Sequence, residues 1–189
     1  MMKWFSLLHR HGTPADSIYY PNANWQVQAA STRCAKTRCK RSNAQLKALY
    51  ELGVQQLNVN DLASGTENIT AEFLENIVAA ANALVSHLVG LYGPKAVERA
   101  YVYTFDELPE AKIQAIYSIF GAVKKALPGL RTMATLPDGW VFGRSDWIRL
   151  PKDLPLDIWV DQYDQVYDAE KLRAVREWTS LPGKQYFWY

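Results

Sequence analysis

The chain has 189 residues, enough for one good hydrophobic core and, by length, a single domain. A charged fraction of 21% and a hydrophobic fraction of 49% are ordinary for a soluble globular protein, not for a disordered one. The formal net charge of +2 argues neither for nor against a polyanionic partner.

Met1-Met2-Lys3-Trp4-Phe5-Ser6-Leu7-Leu8-His9-Arg10 starts like a signal peptide, but its apolar core is short and is broken by His9 and Arg10. Trp4, Leu7 and Leu8 suit one face of a helix end that Gly12-Thr13-Pro14 stops. Ser17-Ile18-Tyr19-Tyr20 reads as a short strand, followed by a long polar loop. Within that loop lie Cys34 and Cys39 in a run with five basic residues. Their spacing permits a disulfide or half a metal site, but no second Cys or His pair follows at zinc spacing. No aromatic residues interleave with the basic ones, so the run reads as a solvated loop and not as a nucleic-acid patch. His9-Arg10-His11 sits on a helix end, not on the strand that a His-x-His metal site needs, and no metal is expected.

Ser42-Asn43-Ala44-Gln45 is a capping box opening a helix that closes at Gly53. A strand follows, in which Leu57 and Val59 alternate with Asn58 and Asn60; the apolar pair should face covering helices and the asparagines the other side. Thr70 caps the longest helix, whose Phe73, Leu74, Ile77, Val78, Ala81, Leu84, Val85 and Leu88 form an apolar stripe ended by Gly93-Pro94. Asn68-Ile69-Thr70 is also a glycosylation sequon, which Thr70 as a cap explains equally well. The chain shows no membrane span to this reading.

Ala100-Tyr101-Val102-Tyr103-Thr104-Phe105 is aromatic and β-branched, the composition of a buried strand, and it ends abruptly in Asp106-Glu107. An unpaired carboxylate inside a sheet loses its hydration, which places the pair at the strand's C-terminal end. In α/β folds that edge is where sites are built. A bland account is that two acids suit the start of the next helix, with Pro109 in its first turn. That helix runs through Ile113, Ile116, Tyr117, Phe120 and Val123 to Pro128-Gly129, and a strand occupies Leu130 to Thr135. A further strand spans Leu156-Asp157-Ile158-Trp159-Val160-Asp161, with Ile158 and Val160 expected on the helix side and Asp157, Trp159 and Asp161 opposite. Asp168 can cap a helix carrying Leu172, Val175 and Trp178, and Pro182-Gly183 turns into the aromatic strand Lys184 to Tyr189.

Six strands alternating with helices argue for a parallel sheet. Polar residues facing away from the helices favour a barrel lumen over an open, doubly covered sheet. The expected fold is an α/β (β/α)8 TIM-barrel-like domain over 1–189, incomplete, with about six of the eight strands present; a chain of 189 residues is short of the usual ~250.

On these residues the chain resembles the catalytic barrel of glycoside hydrolase family 123, the retaining β-N-acetylgalactosaminidases. The resemblance runs through His11-Gly12-Thr13-Pro14-Ala15-Asp16-Ser17-Ile18-Tyr19, Tyr101 to Glu107, Leu156-Asp157-Ile158-Trp159-Val160 and Phe187-Trp188-Tyr189. Its most specific part is the adjacent Asp-Glu pair, which the family carries at the end of its fourth strand. The resemblance implies a longer protein, with a β-sandwich before this chain and a further barrel strand after it.

It also implies substrate-assisted hydrolysis of terminal β-linked N-acetylgalactosamine, an exception to the usual pair of carboxylate roles. The sugar's own acetamido oxygen attacks the anomeric carbon, giving an oxazolinium intermediate and net retention. Glu107 would be the general acid and then the base, and Asp106 would hold the acetamide N–H and offset the charge on the oxazolinium. A regular strand sends adjacent residues to opposite faces, so both acids reach one sugar only where the strand has relaxed.

Seven Trp and eleven Tyr suit a core, but also a cleft in which rings stack on pyranose faces. Candidate sugar contacts are Asn58, Asn60, Tyr103, Trp159, Asp161, Tyr163 and Trp188, with core packing an equal account of Trp159 and lumen filling one of the asparagines. The substrate is then a glycan or glycoconjugate, with no cofactor, metal or nucleic acid. Two alternatives stay open: a non-catalytic carbohydrate-binding or degenerate barrel fragment, and a glycosidase with an ordinary carboxylate nucleophile such as Asp161.

Overall fold

A computed structural model describes residues 51, 57–60, 68–105, 113–136, 150–161 and 169–188, with Asn58, Asn60, Asp161 and Trp188 followed as backbone only. The elements run β1 (Leu57–Asn60), α1 (Ala71–Tyr92), a short 3-10 helix (Pro94–Arg99), β2 (Ala100–Phe105), α2 (Ile113–Ala126), β3 (Arg131–Thr135), β4 (Ile158–Asp161), α3 (Ala169–Thr179) and β5 (Gln185–Trp188). The strand expected at residues 17–20, the cysteine run and, apart from the helical Glu51, the helix opened by Ser42 lie outside the described residues.

Each helix boundary has a local cause. Thr70 caps α1, its hydroxyl accepting the Phe73 N–H at 3.1 Å, so the cap half of the sequon reading is observed. Gly93 closes α1 at φ 79°, a conformation costly for any residue with a Cβ, and its N–H returns to the Val89 carbonyl at 2.8 Å. Pro94 then opens the 3-10 helix, which the sequence reading did not anticipate.

The five strands form one sheet in the order β1-β2-β3-β4-β5, every neighbouring pair parallel. Each crossover between parallel strands is right-handed by strong preference, so a chain that always steps to the same side keeps its crossovers on one face. Packing agrees. One core cluster joins Ile77, Ala81 and Leu88 of α1, Ile116, Ile119, Phe120 and Val123 of α2, and Trp178 of α3 to Ala100, Val102, Phe105, Ala134 and Trp159 of the sheet. Leu150, Leu154 and Leu156, from the segment before β4, belong to the same cluster. Tyr101, Tyr103, Met133, Ile158 and Val160 form a second buried cluster on the opposite face. Burial on both faces is the usual condition of an all-parallel sheet.

Three expectations change. Trp159, not Ile158 and Val160, faces the helices; Met133, Ala134 and Thr135 pair with Ile158, Trp159 and Val160, so β4 follows the pleat of β3. A period-2 pattern in a strand buried on both sides is symmetrical in hydrophobicity and does not say which set faces in. Leu172 is 39% exposed, and α3 holds the sheet through Trp178, whose indole N–H bonds the Gln185 carbonyl at 3.2 Å. Finally, α1 over Ala71–Gly90 is long and apolar enough to cross a membrane by length and composition, with 19% of the tested window buried. Core helices pass the same test, and Ile77, Ala81 and Leu88 lie in the main core.

Candidate functional site

Because all five strands point the same way, Asn60, Phe105, Thr135, Asp161 and Trp188 end them along one edge of the sheet. This carboxyl edge is where ligands bind in open α/β sheets, outside the strand ends. Asn58 lies beside Tyr101 in the register, Asn60 beside Val102, and Asp161 beside Trp188. Asp106, Glu107 and Tyr163 lie outside the described residues, immediately beyond the ends of β2 and β4 in the chain.

β2 is irregular where it approaches the acidic pair. Tyr103 pairs with Met133, but Phe105 pairs with Ala134, so one extra residue is inserted between them. The bulge carries Phe105 onto the helix face, against Phe120 at a ring separation of 5.1 Å and an interplanar angle of 62°. Tyr103, two residues earlier, belongs to the opposite face. Thr104, the inserted residue, is buried, and its hydroxyl has no hydrogen-bond partner among the described residues. A buried polar atom of this kind costs stability.

Tyr103 is the one expected sugar contact whose side chain is described on the face away from the helices. Its phenol oxygen lies 2.9 Å from Thr135 Oγ1, joining β2 to β3 near the carboxyl edge. Trp159 is placed differently. It is 1% exposed, packs edge-on against Tyr186 at 4.9 Å, and sits in the core with Trp178, as its core reading has it.

The opposite edge of the sheet is tied by charge. Asp157 precedes β4 and accepts from the Thr132 N–H at 3.0 Å, from the Thr132 hydroxyl at 3.3 Å and from Lys124 Nζ at 2.7 Å. Lys184, just before β5, donates to the Leu154 carbonyl at 2.9 Å and to the Leu156 carbonyl, with Nζ 4.7 Å from the centre of the Trp178 ring. Burial pushes the Lys184 ammonium below its ordinary value, and Asp157 opposes that shift. This network lies at the strand starts, so it fixes the sheet and does not serve the carboxyl edge.

Sequence reading missed Thr135 and this network. Thr135 ends a strand that shows no chemistry in its composition, and Asp157 was expected to face away from the helices with Trp159. Among the described residues no group of three His, Cys, Asp or Glu could hold a metal ion.

The fold and its carboxyl edge define an α/β protein with an all-parallel sheet wound in chain order. No protein-family model matches the chain, and no curated protein matches it.

Proposed function

We propose that the chain is the larger part of a (β/α)8 barrel and that it acts as a retaining β-N-acetylhexosaminidase of the family 123 type, most like those that remove terminal N-acetylgalactosamine. Support for the barrel comes from strand order: a parallel sheet wound in chain order, with the described parts of its crossovers packed on one face, suits a sheet that curves toward closure. The buried opposite face suits a filled lumen.

The observation that carries the enzymatic reading is the bulge in β2. It reverses the facing of the strand after Tyr103, so a pleat continued past Phe105 would turn Asp106 to the face on which Tyr103 and Thr135 lie, while Glu107 would reach the same sugar only where the pleat ends. Bulges recur beside active sites because they re-aim side chains, and this one falls just before the acidic pair. In the reading proposed, Asp106 stays ionised and holds the acetamide N–H while the acetamido oxygen attacks the anomeric carbon. Glu107 starts protonated and gives its proton to the leaving oxygen, and later takes one from the water that opens the oxazolinium. Each carboxylate raises the proton affinity of the other, which helps keep Glu107 protonated at the start.

The test is steady-state hydrolysis of an aryl β-N-acetylgalactosaminide by the wild-type protein and by Glu107→Gln. Loss of a general acid lowers kcat by roughly 10²–10⁴-fold. Full activity in Glu107→Gln would remove Glu107 from the mechanism.

A further inference from the structure

Tyr103 is level with Met133 in the β2–β3 register, yet its phenol oxygen meets Thr135, two residues farther along. The ring therefore leans along the sheet toward the carboxyl edge, across about two strand residues of roughly 3.3 Å each. Thr135 is a rigid anchor. It is 1% exposed, it pairs with Val160, and the next residue, Leu136, donates its N–H to the Val160 carbonyl at 3.2 Å.

Stability does not require this pair. A buried hydroxyl must be desolvated before it bonds, and a Val in place of Thr135 would keep the same shape and β preference. Replacing both partners of such a bond by apolar groups of the same shape is nearly neutral or stabilising. A hydroxyl pair kept at the carboxyl edge, beside a bulge and one strand position from the buried Thr104 hydroxyl, is a device for orientation.

We propose that Thr135 is a positioning residue: it holds the Tyr103 phenol at the carboxyl edge, in the orientation that meets a polar group of the bound 2-acetamido sugar. This rests on the hexosaminidase reading and assigns the placement of Tyr103 to a residue on the neighbouring strand. Thr135 touches no reacting atom and acts only through the phenol.

The experiment compares wild type, Thr135→Val, Thr135→Ser, Tyr103→Phe and the Thr135→Val/Tyr103→Phe double variant on an aryl β-N-acetylgalactosaminide, with thermal unfolding measured alongside. Thr135→Val is expected to lower kcat/KM about tenfold, the worth of one well-placed hydrogen bond, while the double variant, which removes both hydroxyls, keeps the wild-type melting temperature. Thr135→Ser, which keeps the hydroxyl, restores the activity, and the double variant is no worse than Tyr103→Phe, because the two residues act as one unit. An active wild type whose Thr135→Val variant matches it, or a Thr135→Ser variant as impaired as Thr135→Val, overturns the proposal alone. A wild type that turns over no 2-acetamido sugar overturns the hexosaminidase reading and this proposal with it.

Discussion

Asp157 shows how much one side chain does at the strand starts of this sheet. It takes a backbone N–H, a hydroxyl and an ammonium at once, and removing it leaves the Thr132 N–H and Lys124 without that acceptor. Asp157→Ala should destabilise the fold by about 2 kcal/mol, read as a lower urea midpoint with unchanged m. Lys184 works in the opposite electrostatic sense. Its folded proton affinity is lowered by burial, so between that lowered value and the ordinary 10.5 the unfolded chain holds a proton that the folded chain has released. Stability attributable to Lys184 therefore rises with pH across that window. Thr104 and Thr135, by contrast, gave no signal in the sequence. A threonine in a β-rich stretch is ordinary, and only register and hydrogen-bond partners single these two out. Lys184→Met should flatten the alkaline rise in urea midpoint relative to wild type; an equally steep rise in the variant would assign the effect to another group.

At the scale of elements, local signals were legible wherever chemistry is local. Thr70, Gly93, Pro94 and the Pro128-Gly129 turn all act where their residue types require, and β2, α2 and β3 fall close to their expected bounds. Thr70→Ala should cost about 1 kcal/mol through the lost α1 cap, measured by chemical denaturation. Facing was not legible in β4, because Ile158, Trp159 and Val160 are all apolar and both faces are buried. The bulge in β2 also escaped notice, since neither Gly nor Pro marks it. Its packing consequence is testable: Phe105→Ala should cost about 3–5 kcal/mol, the range for a buried Phe against aromatic neighbours. A cost below about 1 kcal/mol would mean that Phe105 is not inserted between sheet and α2.

For the whole molecule, alternation of strands and helices was enough to reach a parallel sheet, and the structure adds its order and the one face on which the described helices pack. The chemistry proposed for the carboxyl edge depends on the sugar's own acetamido group, which separates it from a glycosidase with a protein nucleophile. The most direct measurement is the rate on aryl β-N-acetylgalactosaminide, on its mono-, di- and trifluoroacetyl analogues, and on the aryl β-galactoside. Fluorine withdraws electrons from the acetamido oxygen, so kcat should fall stepwise along that series and vanish when the acetamido group is absent. Equal turnover of the galactoside, or indifference to fluorination, would contradict it.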